Sequence, residues 1–134
     1  MTARDEYLLD TDTCIAALRG EPEIIDRLQD KAPVDCVVSS VTVYELAVGV
    51  AKCRDSRREA TKINRFLATV RVMPFDVPAA RKAAEIRAGL EKRGVGIGPY
   101  DTLLAGQAVA HDLQIVTGNR DEFARVPGLM VAER

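Results

Sequence analysis

The chain opens with Tyr7-Leu8-Leu9, which runs without a break into Asp10-Thr11-Asp12-Thr13 before Cys14-Ile15-Ala16-Ala17-Leu18 resumes an apolar pattern. So short an apolar run, so close to the N-terminus, reads as a buried strand that delivers a carboxylate to its own end. In an open parallel sheet that edge is where ligands bind. Asp12 or Thr11 could equally do no more than cap the next helix. Asp10 fits that second reading less well, because a carboxylate at the end of a buried strand needs a partner.

Further along, apolar periodicity and helix punctuation predict helices over 12–18 (ending at Gly20) and over 21–28, where Pro22 and two early acids mark a start. A strand follows over 36–40 and a helix over 42–50. A helix over 54–70 carries Ile63, Phe66, Leu67 and Val70 on one face and Arg57, Arg58, Lys62 and Arg65 on the other. Val72-Met73-Pro74-Phe75 reads as an edge strand, where proline is tolerated. Then come an Ala-rich helix over 78–92 stopped by Gly94, a glycine-rich loop, and a helix over 99–111. A strand over 113–117, a helical turn over 120–125 and a last strand over 129–131 complete the chain. The order β-α-α-β-α-α-β-α-α-β-α-β predicts a three-layer α/β/α sandwich around a mainly parallel sheet of about five strands, one domain over 1–134.

Composition agrees with such a core. Of 134 residues 47% are hydrophobic, yet only 4% are aromatic and none is Trp, so the interior must be aliphatic. A net charge of -1 argues against a protein that coats nucleic acid, but not against a nuclease whose metal ion meets the phosphate. Cys14, Cys36 and Cys53 are odd in number and widely spaced, which suits a reducing cytoplasm better than a disulfide framework or zinc ribbon. Residues 1–6 read as a short polar arm. No secretory core and no bilayer-spanning run stands out.

In that fold the acids should meet. Glu45 lies soon after the second strand, Asp101 is the third residue of its helix if Gly98 caps it, and Asp121 follows the strand ending at Thr117. Strand C-termini and helix N-termini share one edge of a parallel sheet, so Asp10, Glu45, Asp101 and Asp121 are expected together. Each has a plainer explanation. Thr42-x-x-Glu45 fits a capping box, Asp101 could complement its helix dipole, and Asp121 could be an exposed turn residue. Together, however, they repel unless a cation or a proton relieves them. Oxygen-only ligands point to Mg²⁺ or Mn²⁺, and the chemistry that needs such a site is phosphoryl or phosphodiester transfer. Asp10 and Asp101 are the expected direct ligands, with Glu45 binding metal or orienting water. Asp12, Asp121 and the Thr11 and Thr117 hydroxyls are expected to fix the geometry around them.

Absences remove competitors. His111 is the single histidine, which excludes a ribonuclease built on a histidine pair, and it is expected at a helix end. There is no Gly-x-Ser-x-Gly elbow and no Walker loop, and Gly94-x-Gly96-x-Gly98 lacks the spacing of a dinucleotide fingerprint.

At these residues the sequence resembles the PIN-domain ribonucleases, specifically the VapC toxins of bacterial toxin–antitoxin pairs. Leu8-Leu9-Asp10-Thr11-Asp12 and Ser39-Ser40-Val41-Thr42-Val43-Tyr44-Glu45-Leu46 are similar to the segments carrying the first two acids. The more specific blocks are Gly96-Ile97-Gly98-Pro99-Tyr100-Asp101-Thr102-Leu103-Leu104-Ala105 and Ile115-Val116-Thr117-Gly118-Asn119-Arg120-Asp121-Glu122-Phe123. The resemblance implies that Asp10, Glu45 and Asp101 bind metal. It also implies Mg²⁺-dependent cleavage of structured RNA, often tRNA, by a homodimer that a cognate antitoxin inhibits. Two positions depart from the pattern: Asp12 replaces an Asn or Ser, and Asn119 stands where a fourth acid is usual, with Asp121 as its possible substitute. Arg57, Arg58, Lys62 and Arg65 then acquire a role on RNA phosphates, or remain a solvated face. Val48 and Val50 are candidates for the antitoxin groove. Two rivals stand beside this reading. One is a haloacid-dehalogenase-like phosphatase with Asp10 as nucleophile; the other is a PIN-fold binding module without catalysis.

Overall fold

The structure, a computed structural model, describes residues 5–132; residues 1–4 of the expected polar arm lie outside that range. In chain order the elements are β1 (Tyr7–Leu9), α1 (Thr11–Leu18), α2 (Pro22–Gln29), a 3-10 turn (Pro33–Asp35), β2 (Cys36–Ser39), α3 (Ser40–Ala51), α4 (Ser56–Leu67) and β3 (Arg71–Met73). They continue with α5 (Val77–Lys92), α6 (Pro99–Ala110), β4 (Gln114–Val116), α7 (Arg120–Phe123) and β5 (Met130–Val131). The five strands pair in parallel in the order β3-β2-β1-β4-β5.

Neighbouring strand residues point to opposite faces, and each central strand supplies at least one apolar residue to each. Leu8, Val37 and Ile115 pack beneath α5, α6 and α7 with Ile86, Leu90, Leu104 and Phe123. Leu9, Val38 and Val116 pack on the other face with Cys14, Leu28, Val43, Phe66 and Leu67 from α1 to α4. Two cores on a parallel sheet make three layers, and continuous apolar runs rather than alternation are what such strands need. β3 and β5 form the edges. Val72 is 46% exposed and Pro74 follows β3, so the edge assignment holds although the strand begins at Arg71.

Helix ends follow the expected punctuation in most places. Gly20 and Gly94 take positive φ (72° and 70°) just beyond α1 and α5, where a residue with a Cβ would be strained. His111 caps the C-terminus of α6 and sits 2.9 Å from Asp76, the N-cap of α5. The start of α3 differs. The strand stops at Ser39, whose hydroxyl accepts from the Val41 amide, so the helix begins two residues before the expected point. Thr42 is therefore inside the helix, and the anticipated capping box with Glu45 does not form.

Among the described residues no helix is long and apolar enough to cross a membrane. Cys14 and Cys36 are free and buried, and Cys53 is free and exposed.

Candidate active site

The strand order places a reversal between β1 and β4. From β1 the chain moves outward to β2 and β3, then returns to build β4 and β5 on the other side. Crevices at such reversals, beyond the carboxyl ends of the strands, are where open α/β sheets bind ligands. Asp10 follows β1 and Thr117 follows β4, one on each side of that crevice. The Thr117 hydroxyl donates to Asp10 Oδ2 at 2.5 Å and accepts from the Asn119 amide at 2.8 Å. Asp10 Oδ1 accepts from the Thr13 amide at 2.8 Å, so Asp10, not Asp12 or Thr11, is the N-cap of α1. Asp10 is 1% exposed. Burial raises its pKa, and the hydrogen bonds from Thr117 and Thr13 offset part of that rise. Two bonds leave a carboxylate with further acceptor capacity.

Glu45 reaches the site through threonines. Thr11 Oγ1 donates to Glu45 Oε1 at 2.7 Å and lies 2.9 Å from Thr42 Oγ1. A hydroxyl has one proton, so Thr42 donates to Thr11, which donates onward to Glu45. Thr11 and Thr42 are buried, and the chain of hydroxyls fixes Glu45 relative to α1.

Asp101 occupies the third position of α6, behind the Gly98 cap and Pro99. Its pKa is pushed up to about 7 by burial first, then by the charges of Glu122, Asp10, Asp12 and Glu45. These acids come from three segments other than Asp101's own, and each adds to burial in opposing the ionisation of that one carboxyl. Glu122 was missed from sequence. Its Oε1 accepts from the Gly98 amide at 2.8 Å, at the corner where Asp101 Oδ2 also lies. Asp121, the expected participant, is exposed on the outside of α7, and Asn119 is exposed at its start. Asp12 is exposed at the rim but within electrostatic range of Asp10 and Asp101.

The donor set suits a hard divalent cation in kind. It is all oxygen, drawn from several carboxylates whose charges add to burial in raising the Asp101 pKa. Among the described residues, however, no three His, Cys, Asp or Glu side chains are close enough together to ligate one ion in this arrangement.

Arg57, Arg58, Lys62 and Arg65 are exposed on α4. Lys62 lines a cavity of about 330 Å³ with Arg19 and Glu45; the three arginines do not. Val50 lines the same cavity beside Ile15, Leu46 and Ile63, whereas Val48 does not. A larger cavity of about 570 Å³, between α5 and the start of α6, is lined mainly by Phe75, Leu90, Ile97, Leu103 and alanines. It holds none of the converging acids, so size does not mark the chemistry here.

Residues 7–129 match the PIN domain. The tRNA(fMet)-specific endonuclease VapC of Salmonella typhimurium is 34% identical over 128 residues, covering 96% of this chain and 97% of the relative. Ribonuclease VapC2 of Rickettsia felis is 32% identical over 127 residues, covering 93% and 95%. Among solved structures, DNA-bound VapBC from Salmonella typhimurium superposes with a TM-score of 0.89 at 34% identity, covering 96% of this chain and 98% of that one.

Proposed function

This chain belongs to the PIN-domain family, and from that premise we propose that it is a metal-dependent endoribonuclease toxin. Its substrate is structured RNA of the tRNA class, its inhibitor a cognate antitoxin, and its working form a homodimer. One observation carries the reading: acids from three other segments face Asp101, and burial together with their charges lifts its pKa to about 7. The ribonuclease names of the relatives and the VapBC complex support RNA as substrate and a protein as partner.

Asp10, Asp101 and Glu45 would hold the cation once their carboxylates draw closer than they stand in this arrangement. When bound, Mg²⁺ or Mn²⁺ would supply Lewis acidity toward the phosphodiester and offset developing negative charge. The chain does the positioning. Thr117 and Thr13 lock Asp10, and the Thr42–Thr11 relay holds Glu45 by one oxygen so that the carboxylate can orient the attacking water. Glu122, anchored on the Gly98 amide, keeps a negative charge beside Asp101 and so raises its affinity for a cation. Lys62, with Arg57, Arg58 and Arg65 along exposed α4, supplies phosphate contacts.

Incubating purified protein with total tRNA, with Mg²⁺ or with EDTA, tests the proposal. Cleavage should require the metal, and Asp10→Asn and Asp101→Asn should each lower the rate by about 100-fold or more. Undiminished cutting in EDTA, or by both variants, rejects it. A phosphoryl group trapped on Asp10 would point instead to phosphatase chemistry.

A further inference from the structure

The chain has three Tyr and three Phe and no Trp. Four of these aromatics are buried or half-buried, while Tyr44 and Tyr100 stand 55% and 40% exposed. The two come from different helices, α3 and α6, and their ring centroids are 5.9 Å apart at an interplanar angle of 48°. Each immediately precedes an acid of the site, Glu45 or Asp101.

We propose that Tyr44 and Tyr100 form a stacking platform that binds one nucleobase of the RNA next to the phosphate being cut. This rests on the ribonuclease reading above and adds to it how the substrate is gripped. The acids themselves repel the phosphate backbone, so the grip beside the scissile bond gains from a contact that does not depend on charge. Aromatic faces supply that, because every base has a π-face to stack on them whatever its sequence. The two rings already touch one another, so a base does not enter between them; it lies on an outer face. Anchored there, one base sets the register of the adjoining phosphate over Asp10, Glu45 and Asp101. The pair is therefore a positioning element and takes no part in proton transfer.

Steady-state cleavage of a short RNA substrate in Mg²⁺ tests this. Tyr44→Ala and Tyr100→Ala should raise KM by roughly 5- to 100-fold, the range expected for losing one stacked base, with a smaller effect on kcat. Tyr44→Phe and Tyr100→Phe keep the rings and should recover most of the loss. An abasic scan of the substrate should find one position whose removal costs wild type as much as Tyr→Ala does, with no further loss when the two are combined. Unchanged KM in both alanine variants, while Asp101→Asn abolishes cutting, overturns the platform and leaves the ribonuclease reading intact. Unchanged KM with weakened inhibition by a partner protein also overturns it and assigns the rings to that partner. Wild type that cuts no RNA overturns both.

Discussion

The Thr117 hydroxyl joins the end of β4 to the acid that ends β1, through its bonds to Asp10 Oδ2 and the Asn119 amide. Thr117→Val keeps the shape of the side chain and leaves a buried carboxylate oxygen without its donor. That should cost about 1–3 kcal/mol of stability and lower cleavage by about 10- to 100-fold through loss of Asp10's orientation; thermal unfolding and initial rates check the two parts. Asp101 gives a pH signature. Its folded pKa of about 7 lies above the ordinary carboxyl value, so between those values the folded protein holds a proton that the unfolded chain has released. Metal-free stability should therefore fall as pH rises from about 4 to about 7 and level off beyond. The effect is on the order of 1 kcal/mol, because the half-buried carboxyl is partly screened by water. Urea unfolding in EDTA at pH 5 and pH 8 should show this slope in wild type and a smaller one in Asp101→Asn. Asp10 and Asp101 were legible in sequence because an apolar strand and a Gly-Pro helix start fix their positions almost alone. Glu122 was not legible. Asp121 and Glu122 are adjacent acids on a four-residue helix, and only the phase of that helix, set by burying Phe123, decides which one faces Gly98.

Between elements, the closest approach falls at Gly106. A Cβ there would lie 2.5 Å from the Ala83 amide nitrogen and 2.6 Å from its Cα, so α5 and α6 meet backbone to backbone. Gly106→Ala gains about 1 kcal/mol of helix propensity. It must also push two helices apart, a strain of about 1–3 kcal/mol or more where the obstacle is backbone, so the net effect should be a lower Tm. Gly89, inside α5 but with nothing within 4 Å of its Cβ position, is the control. Gly89→Ala should raise Tm by a few degrees, and the same sign for both substitutions would refute the contact. Periodicity and punctuation disclosed these helices, but the contact between them is a property of two helices and is written in neither. The start of α3 was misplaced for a related reason: Ser39, Ser40 and Thr42 are all credible caps, and the choice is made by β2 ending in the sheet and by Thr42 being needed as a partner for Thr11.

For the molecule as a whole, alternation of strands and helices sufficed to foresee a parallel sheet between two helical layers, but not the order β3-β2-β1-β4-β5. Right-handed crossovers limit the options without saying on which side of β1 the returning strand inserts. That insertion creates the crevice, and with it a cost: the fold brings Asp10, Asp12, Glu45 and Glu122 within electrostatic range of Asp101, where each opposes its ionisation. The proposed cation would stabilise the folded form, having no comparable site in the unfolded chain. Mg²⁺ or Mn²⁺ at 100 times its Kd should thus add about 2.7 kcal/mol, or roughly 5–10 °C in Tm for a domain of this size. Asp101→Asn should do two things at once. It removes part of the repulsion, so its Tm in EDTA should exceed that of wild type at pH 8, and it removes a ligand, so the rise on adding metal should shrink or vanish. A metal-induced rise that survives in Asp101→Asn and Asp10→Asn alike would place the cation elsewhere and separate the acidic edge from the chemistry assigned to it.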